Sequence, residues 1–203
     1  MHTTTAPFTL EAGKERRRGE PVVFHWRGTS PEFGEIEVRY PVPPRAAQSV
    51  TTEVRGGHLP TTTLEARGMH VDEAEKPSLN GATLRVDGGV VYAQRNRWGF
   101  TKRARSLRLK YLGDRYRLTA VNGRSYTLTR EPDSEDPGVV VTVKPSGLGG
   151  RRLSVSVRGR ALPADIALAA LFAGVDRRVL TRGGAVRAGF GRIFHAAADS
   201  AMV

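Results

Sequence analysis

Leu162-Pro-Ala-Asp-Ile-Ala-Leu-Ala-Ala-Leu-Phe-Ala-Gly-Val-Asp-Arg177 decides how this chain folds. Pro163 suits the first position of a helix, and Asp165 places an anion in its first turn, where the helix dipole favours one. Arg177, Arg178 and Arg182 ahead of Gly183-Gly184 form the cation-then-glycine pattern of a helix C-terminus. The spacing therefore predicts a helix near 163–182. Ile166, Leu168, Leu171, Phe172 and Val175, with alanines between them, leave no polar face, and a helix apolar all round must be enclosed. Lipid does not enclose it, because the apolar run Ile166 to Val175 is ten residues and a spanning helix needs roughly 20. Protein must.

The rest of the chain reads as strands. From Pro21 onward, β-rich runs recur between turn signals: 21–26, 35–40, 49–54, 61–66, 82–86 and 90–95. In 106–130 three alternating runs are separated by Gly113-Asp114 and Asn122-Gly123, both two-residue hairpin signals. A tight turn at the first pairs Leu109 with Leu118, Tyr111 with Tyr116, Leu107 with Ala120 and Lys110 with Arg117, sorting apolar and basic residues onto opposite faces. The same geometry at the second puts Tyr126 and Leu128 on the basic face. Either a bulge shifts the register there or both faces are partly covered. Strand runs at 139–143 and 153–157 bring the count to about eleven, more than an open sheet of this length usually carries. The expected fold is mainly β: a closed antiparallel barrel of about 11–12 strands around one buried C-terminal apolar helix. Residues 1–20 read as a flexible basic arm, 21–183 as a single barrel domain and 184–203 as a tail, with Val186, Phe190, Ile193 and Phe194 at helical spacing.

The order of elements over roughly 80–182, and above all the helix 162–177 bracketed by acidic residues, resembles the tubby-like barrel superfamily, which includes the LURP-one-related and phospholipid-scramblase-like proteins. That resemblance implies a closed antiparallel barrel threaded by a buried C-terminal helix, and gives lipid binding some prior as an activity.

Composition narrows the chemistry. Among 203 residues there is no cysteine, which excludes disulfide scaffolds, thiol nucleophiles and cysteine-based zinc sites. The five histidines, His2, His25, His58, His70 and His195, never stand at the i, i+4 spacing of a helical metal site; His70-Val-Asp-Glu73 comes nearest. The loop Asp133-Ser-Glu-Asp136 lacks the spaced ligands and central glycine of a calcium loop. No nucleophile elbow, dinucleotide fingerprint or P-loop is present. The expectation is a protein that is not an enzyme and has no cofactor and no metal. The first 20 residues hold no apolar stretch long enough for a secretory signal, so the expected location is cytoplasmic or peripheral to a membrane.

Lys+Arg 32 against Asp+Glu 20 gives a net charge of +12, which favours anionic partners. The cations are densest from Arg95 to Arg117, where Arg95, Arg97, Lys102, Arg103, Arg105, Arg108, Lys110, Arg115 and Arg117 face a single acid, Asp114. Trp98 and Phe100 lie among them, placed to stack on a base or enter a lipid interface. This stretch is the candidate anion-binding and aromatic-contact site. The leading partner is an anionic membrane lipid headgroup. The alternatives are nucleic acid, or a larger protein assembly docked through residues 184–203.

Overall fold

The computed structural model describes residues 5–19, 21–41, 49–67, 76–79, 81–95, 101, 105–147 and 150–181. Arg97, Trp98, Phe100, Lys102, Arg103, the motif around His70 and the tail 184–203 lie outside the described residues. Twelve strands follow one another: β1 Phe8–Glu15, β2 Val23–Ser30, β3 Gly34–Pro41, β4 Ser49–Arg55, β5 Thr62–Arg67, β6 Ala82–Val86, β7 Gly89–Arg95, β8 Leu107–Tyr111, β9 Asp114–Ala120, β10 Tyr126–Arg130, β11 Val139–Ser146 and β12 Arg152–Gly159. Each strand pairs antiparallel with the next, and β1 pairs with both β2 and β12, so the sheet closes into a barrel without an edge. Two-residue periodicity drives this: in β11, Val139, Val141 and Val143 are buried inward while Val140 and Thr142 alternate outward.

Residues 8–15, read from sequence as part of a flexible arm, are the strand that closes the barrel. Phe8 and Leu10 point inward and are buried, and β1 pairs Phe8 with Val155 and Leu10 with Leu153. The first hairpin also differs from expectation, because its turn is Leu112-Gly113 rather than Gly113-Asp114. Both turn residues have left-handed φ, +47° and +93°, as a type I′ turn requires. Leu107 therefore pairs with Leu118, Arg108 with Arg117, Leu109 with Tyr116 and Lys110 with Arg115. The shift is two residues, so the faces stay sorted as expected. At the second hairpin Asn122 Oδ1 accepts from the N–H groups of Arg124 and Ser125, which widens the loop to 121–125. Tyr126 then pairs with Ala120 and Leu128 with Leu118, and both turn inward. A longer loop, not a bulge, resolves the conflict.

α1, Pro163–Leu171, continues into a 3-10 turn at Phe172–Gly174, and a second 3-10 turn follows at Arg178–Leu180. The helix is thus shorter than the 163–182 read from sequence, because Val175 is extended and breaks it. Every residue from Asp165 to Val175 is buried. α1 touches β4 and β5 and also β10 and β11, which lie half a circuit away, so it fills the lumen. Alanines at 167, 169 and 170 keep it narrow. Gly174 is required by close approach, since a Cβ there would stand 2.8 Å from Thr52 Cγ2 and 2.9 Å from the Tyr40 ring. Strict alternation sorts the connections onto two ends. The N-mouth, where α1 begins, gathers the β2–β3, β4–β5, β6–β7, β8–β9 and β10–β11 turns; the C-mouth gathers the β1–β2, β9–β10 and β11–β12 connections and the residues after the helix.

Candidate anion-binding surface

A buried helix leaves orphan backbone groups at both ends, and the two mouths satisfy them with opposite charge. At the N-mouth, Asp165 accepts from the backbone N–H of Leu162 at 2.7 Å and pairs with Arg130 Nε at 3.1 Å. Arg130, also buried, reaches Asp136 at 3.0 Å and donates to the Arg160 carbonyl at 3.2 Å. Burial pushes the Asp165 carboxyl up, against the pull of the Leu162 N–H and Arg130. Burial opposes the charge on Arg130 too, but its two carboxylates outweigh it and hold its pKa above the ordinary value. Tyr116 is raised by burial and by Asp165 beside it. Two carboxylates thus share one guanidinium, so the network carries an excess of negative charge.

At the C-mouth the helix carbonyls receive cations. Arg177 is buried, lies 4.2 Å over the Tyr126 ring and donates to the carbonyls of Phe172 and Val175, the latter at 3.0 Å. Desolvation lowers its pKa. Lys76 donates to the Ala173 carbonyl at 2.8 Å and stands over the Tyr40 and Trp26 rings. Thr52 Oγ1 donates to the Gly174 carbonyl at 3.3 Å, and the Tyr126 hydroxyl to the Ala169 carbonyl at 2.7 Å.

The candidate cations of the sequence fall into different environments. Registers β7–β8 and β8–β9 line up Gln94, Arg108 and Arg117 in one outer row and Tyr92, Lys110 and Arg115 in the next. Arg108 and Lys110 are exposed, and no carboxylate among the described residues pairs with them. Glu131 pairs with Arg115 at 3.5 Å and with Arg117, so one carboxylate is shared by two of the four wall cations. Arg95 is half-buried and Arg105 is buried, which corrects their reading as outer-patch cations. Tyr92, 73% exposed beside Lys110, is an outer aromatic that sequence reading passed over. Its signal was the alternation in β7, where buried Val91 forces its neighbour outward.

Sequence reading also missed the C-mouth. Lys14 near the end of β1, and Arg16, Arg17, Arg18, Arg124 and Arg151 in the connections, gather there, and none has a carboxylate partner among the described residues. Two of them are tied to their surroundings: the Arg151 carbonyl accepts from Ala12 N–H at 2.8 Å, the Arg124 guanidinium lies against Gly150, and the Arg124 carbonyl accepts from Arg177 at 3.4 Å. The acids here, Glu15 and Asp176, are already paired with Arg27 and Arg39, and with Arg178. The N-mouth is the reverse, with Glu32, Asp87, Asp114, Asp133 and Glu135 in its turns against Arg115, Arg158 and Arg160.

Among the described residues, one group has metal-ligand composition: Glu15, His25 and Glu37, whose ligand atoms lie within 4.8 Å of one another. Arg27 bonds Glu37 at 2.6 Å and Glu15 at 3.3 Å, and Arg39 meets Glu15 at 3.5 Å, so the carboxylates are balanced in an ion-pair network on the outer wall. Compared with known proteins, the chain matches no family model, no curated protein and no solved structure.

Proposed function

We propose that this protein is a non-enzymatic docking module that binds the phosphate-bearing surface of an anionic membrane through the cations of its C-mouth and the adjoining wall. One observation carries the reading: the lumen is filled by α1, while among the described residues Lys and Arg side chains without a carboxylate partner concentrate at one end of the barrel. A filled lumen leaves the outer surface as the place where a partner is met. Cations already bonded to carboxylates contribute little there, whereas Lys14, Arg124, Arg151, Arg108 and Lys110 are free to meet phosphate oxygens. Tyr92 offers an amphipathic ring at the same wall. The tubby-like and scramblase-like resemblance supports a lipid surface as the partner, and a cytoplasmic, peripheral location goes with it.

Vesicle flotation tests this. The full chain should float with vesicles containing phosphatidylserine and not with phosphatidylcholine alone, and the binding should weaken as salt rises. Changing Lys14, Arg124 and Arg151 to Gln should lower affinity about a hundredfold, at roughly 1 kcal/mol per cation near an anionic surface. Binding to single-stranded oligonucleotide with none to vesicles would replace the membrane by nucleic acid. Binding to neither would leave the cations as a solvated surface and the reading without support.

A further inference from the structure

On the outer wall, where β1 runs beside β2 and β2 beside β3, Glu15, His25 and Glu37 bring two carboxylates and an imidazole nitrogen within 4.8 Å of one another. The helical i, i+4 rule applied to the histidines could not find this group, because its members come from three strands. Two observations set it apart from an ordinary surface ion-pair network. His25 stands opposite Gly13, and a Cβ at 13 would lie 2.1 Å from its Nε2, so the ring occupies the place a side chain would take. Glycine weakens a strand interior and marks positions where a group must approach the backbone closely. The His25 Nδ1 atom, moreover, is buried and has no hydrogen-bond partner among the described residues. A buried polar atom without a partner is unfavourable until something meets it.

We propose that Glu15, His25 and Glu37 bind one divalent transition-metal ion of the zinc class. The proposal stands independently of the membrane reading. One nitrogen and two carboxylate oxygens suit zinc, whereas calcium and magnesium take oxygen ligands. Ligand atoms around a tetrahedral zinc stand about 3.3 Å apart for bonds of about 2.0–2.1 Å, so modest side-chain rotations close the group on an ion, and a water completes the four-coordination. Arg27 and Arg39 hold the two carboxylates, but their side chains are 45% and 38% exposed, and exposed ion pairs are weak. The strand register gives each arginine another acid directly across, Glu11 opposite Arg27 and Glu53 opposite Arg39, although exposed Arg152 and Arg55 already pair with these. Displacing the two arginines therefore exchanges one set of exposed pairs for another, while the ion gains three ligands. Bound there, it ties the strand that closes the barrel to β2 and β3.

Titration of the full chain with zinc, followed by calorimetry and by thermal melting, tests the site. One ion should bind per chain and raise the melting temperature, since a ligand that binds only the folded state stabilises it. His25→Ala should lose at least the roughly 10–100-fold in affinity that removing a metal ligand's hydrogen-bond partner costs, and Glu37→Gln, which keeps the shape of the side chain, should do the same. His58→Ala, at the N-mouth, should bind as wild type does. Affinity that survives either His25→Ala or Glu37→Gln, or that falls with His58→Ala, would place the ion elsewhere and overturn the assignment. Wild type that binds no zinc would overturn it as well.

Discussion

The two mouths solve one problem in opposite ways. At the N-mouth the start of a buried helix meets Asp165, and the cost of burying that carboxylate is offset by Arg130, itself held by Asp136. At the C-mouth the last helix carbonyls meet Arg177 and Lys76, which lie on aromatic faces, and no carboxylate among the described residues pairs with Arg177. The first solution leaves a carboxylate in excess, and the second leaves Arg177 without a carboxylate partner among the described residues. The difference shows how one structural requirement, capping a luminal helix, is met by side chains of opposite charge at the two ends.

The largest effect should come from attacking what both mouths enclose. Leu171→Asp buries an unpaired charge in the lumen, costing several kcal/mol, on the order of the whole stability. Circular dichroism should show no cooperative melt, and a melt near the wild-type temperature would mean that the helix is not central.

The mouths themselves should separate next. Arg130→Met strands Asp165 without its cation and should cost about 3–5 kcal/mol in denaturant unfolding. Adding Asp165→Leu should recover part of that loss. Arg177→Met leaves carbonyls, not a charge, without donors, and should cost less, about 1–3 kcal/mol. Equal losses for the two arginine variants would erase the distinction drawn between ion-paired and carbonyl-bonded closure.

A pH series sharpens it further. The Arg130 bond, and then the Gly138 N–H, hold Asp136 below the usual carboxylate range. A group with a depressed folded pKa contributes stability that is present above its unfolded pKa, about 3.9, and is lost as pH falls through the lower folded value. Wild type should therefore melt above Asp136→Asn at pH 6, with the gap closing below about pH 4. A gap that stays the same size from pH 6 down to pH 2 would assign the effect to packing.

Smallest in stability, though not in binding, is the C-mouth surface. Changing Lys14, Arg124 and Arg151 to Gln should shift stability by less than about 0.5 kcal/mol each, since none has an ion-pair partner among the described residues. A larger loss in thermal melts would show that these side chains hold structure.

How much of this was legible depended on whether side-chain chemistry or backbone geometry decided the matter. The luminal helix was readable because Ile166 to Val175 permits no exposed face. Closure was readable in outline, yet β1 was hidden, since only Phe8 and Leu10 mark its inward side before charges take over. The first register slipped because Leu112 takes a left-handed conformation that sequence rules assign to Gly or Asp. Arg130 could have been found: it continues the inward series Tyr126, Leu128 in β10. The burial of Arg105 could not, because its turn lacks a period, and the C-mouth cations come together only when distant connections share one end.

The central claim is that a barrel sealed by its own helix meets an anionic surface from outside, with the C-mouth. Hydrogen exchange of the full chain, with and without phosphatidylserine-containing vesicles, tests this most directly. The account predicts slowed exchange at 14–18, 121–125 and 150–152, with 166–174 equally protected in both states. Vesicle-dependent change within α1, or none at the C-mouth, would contradict it.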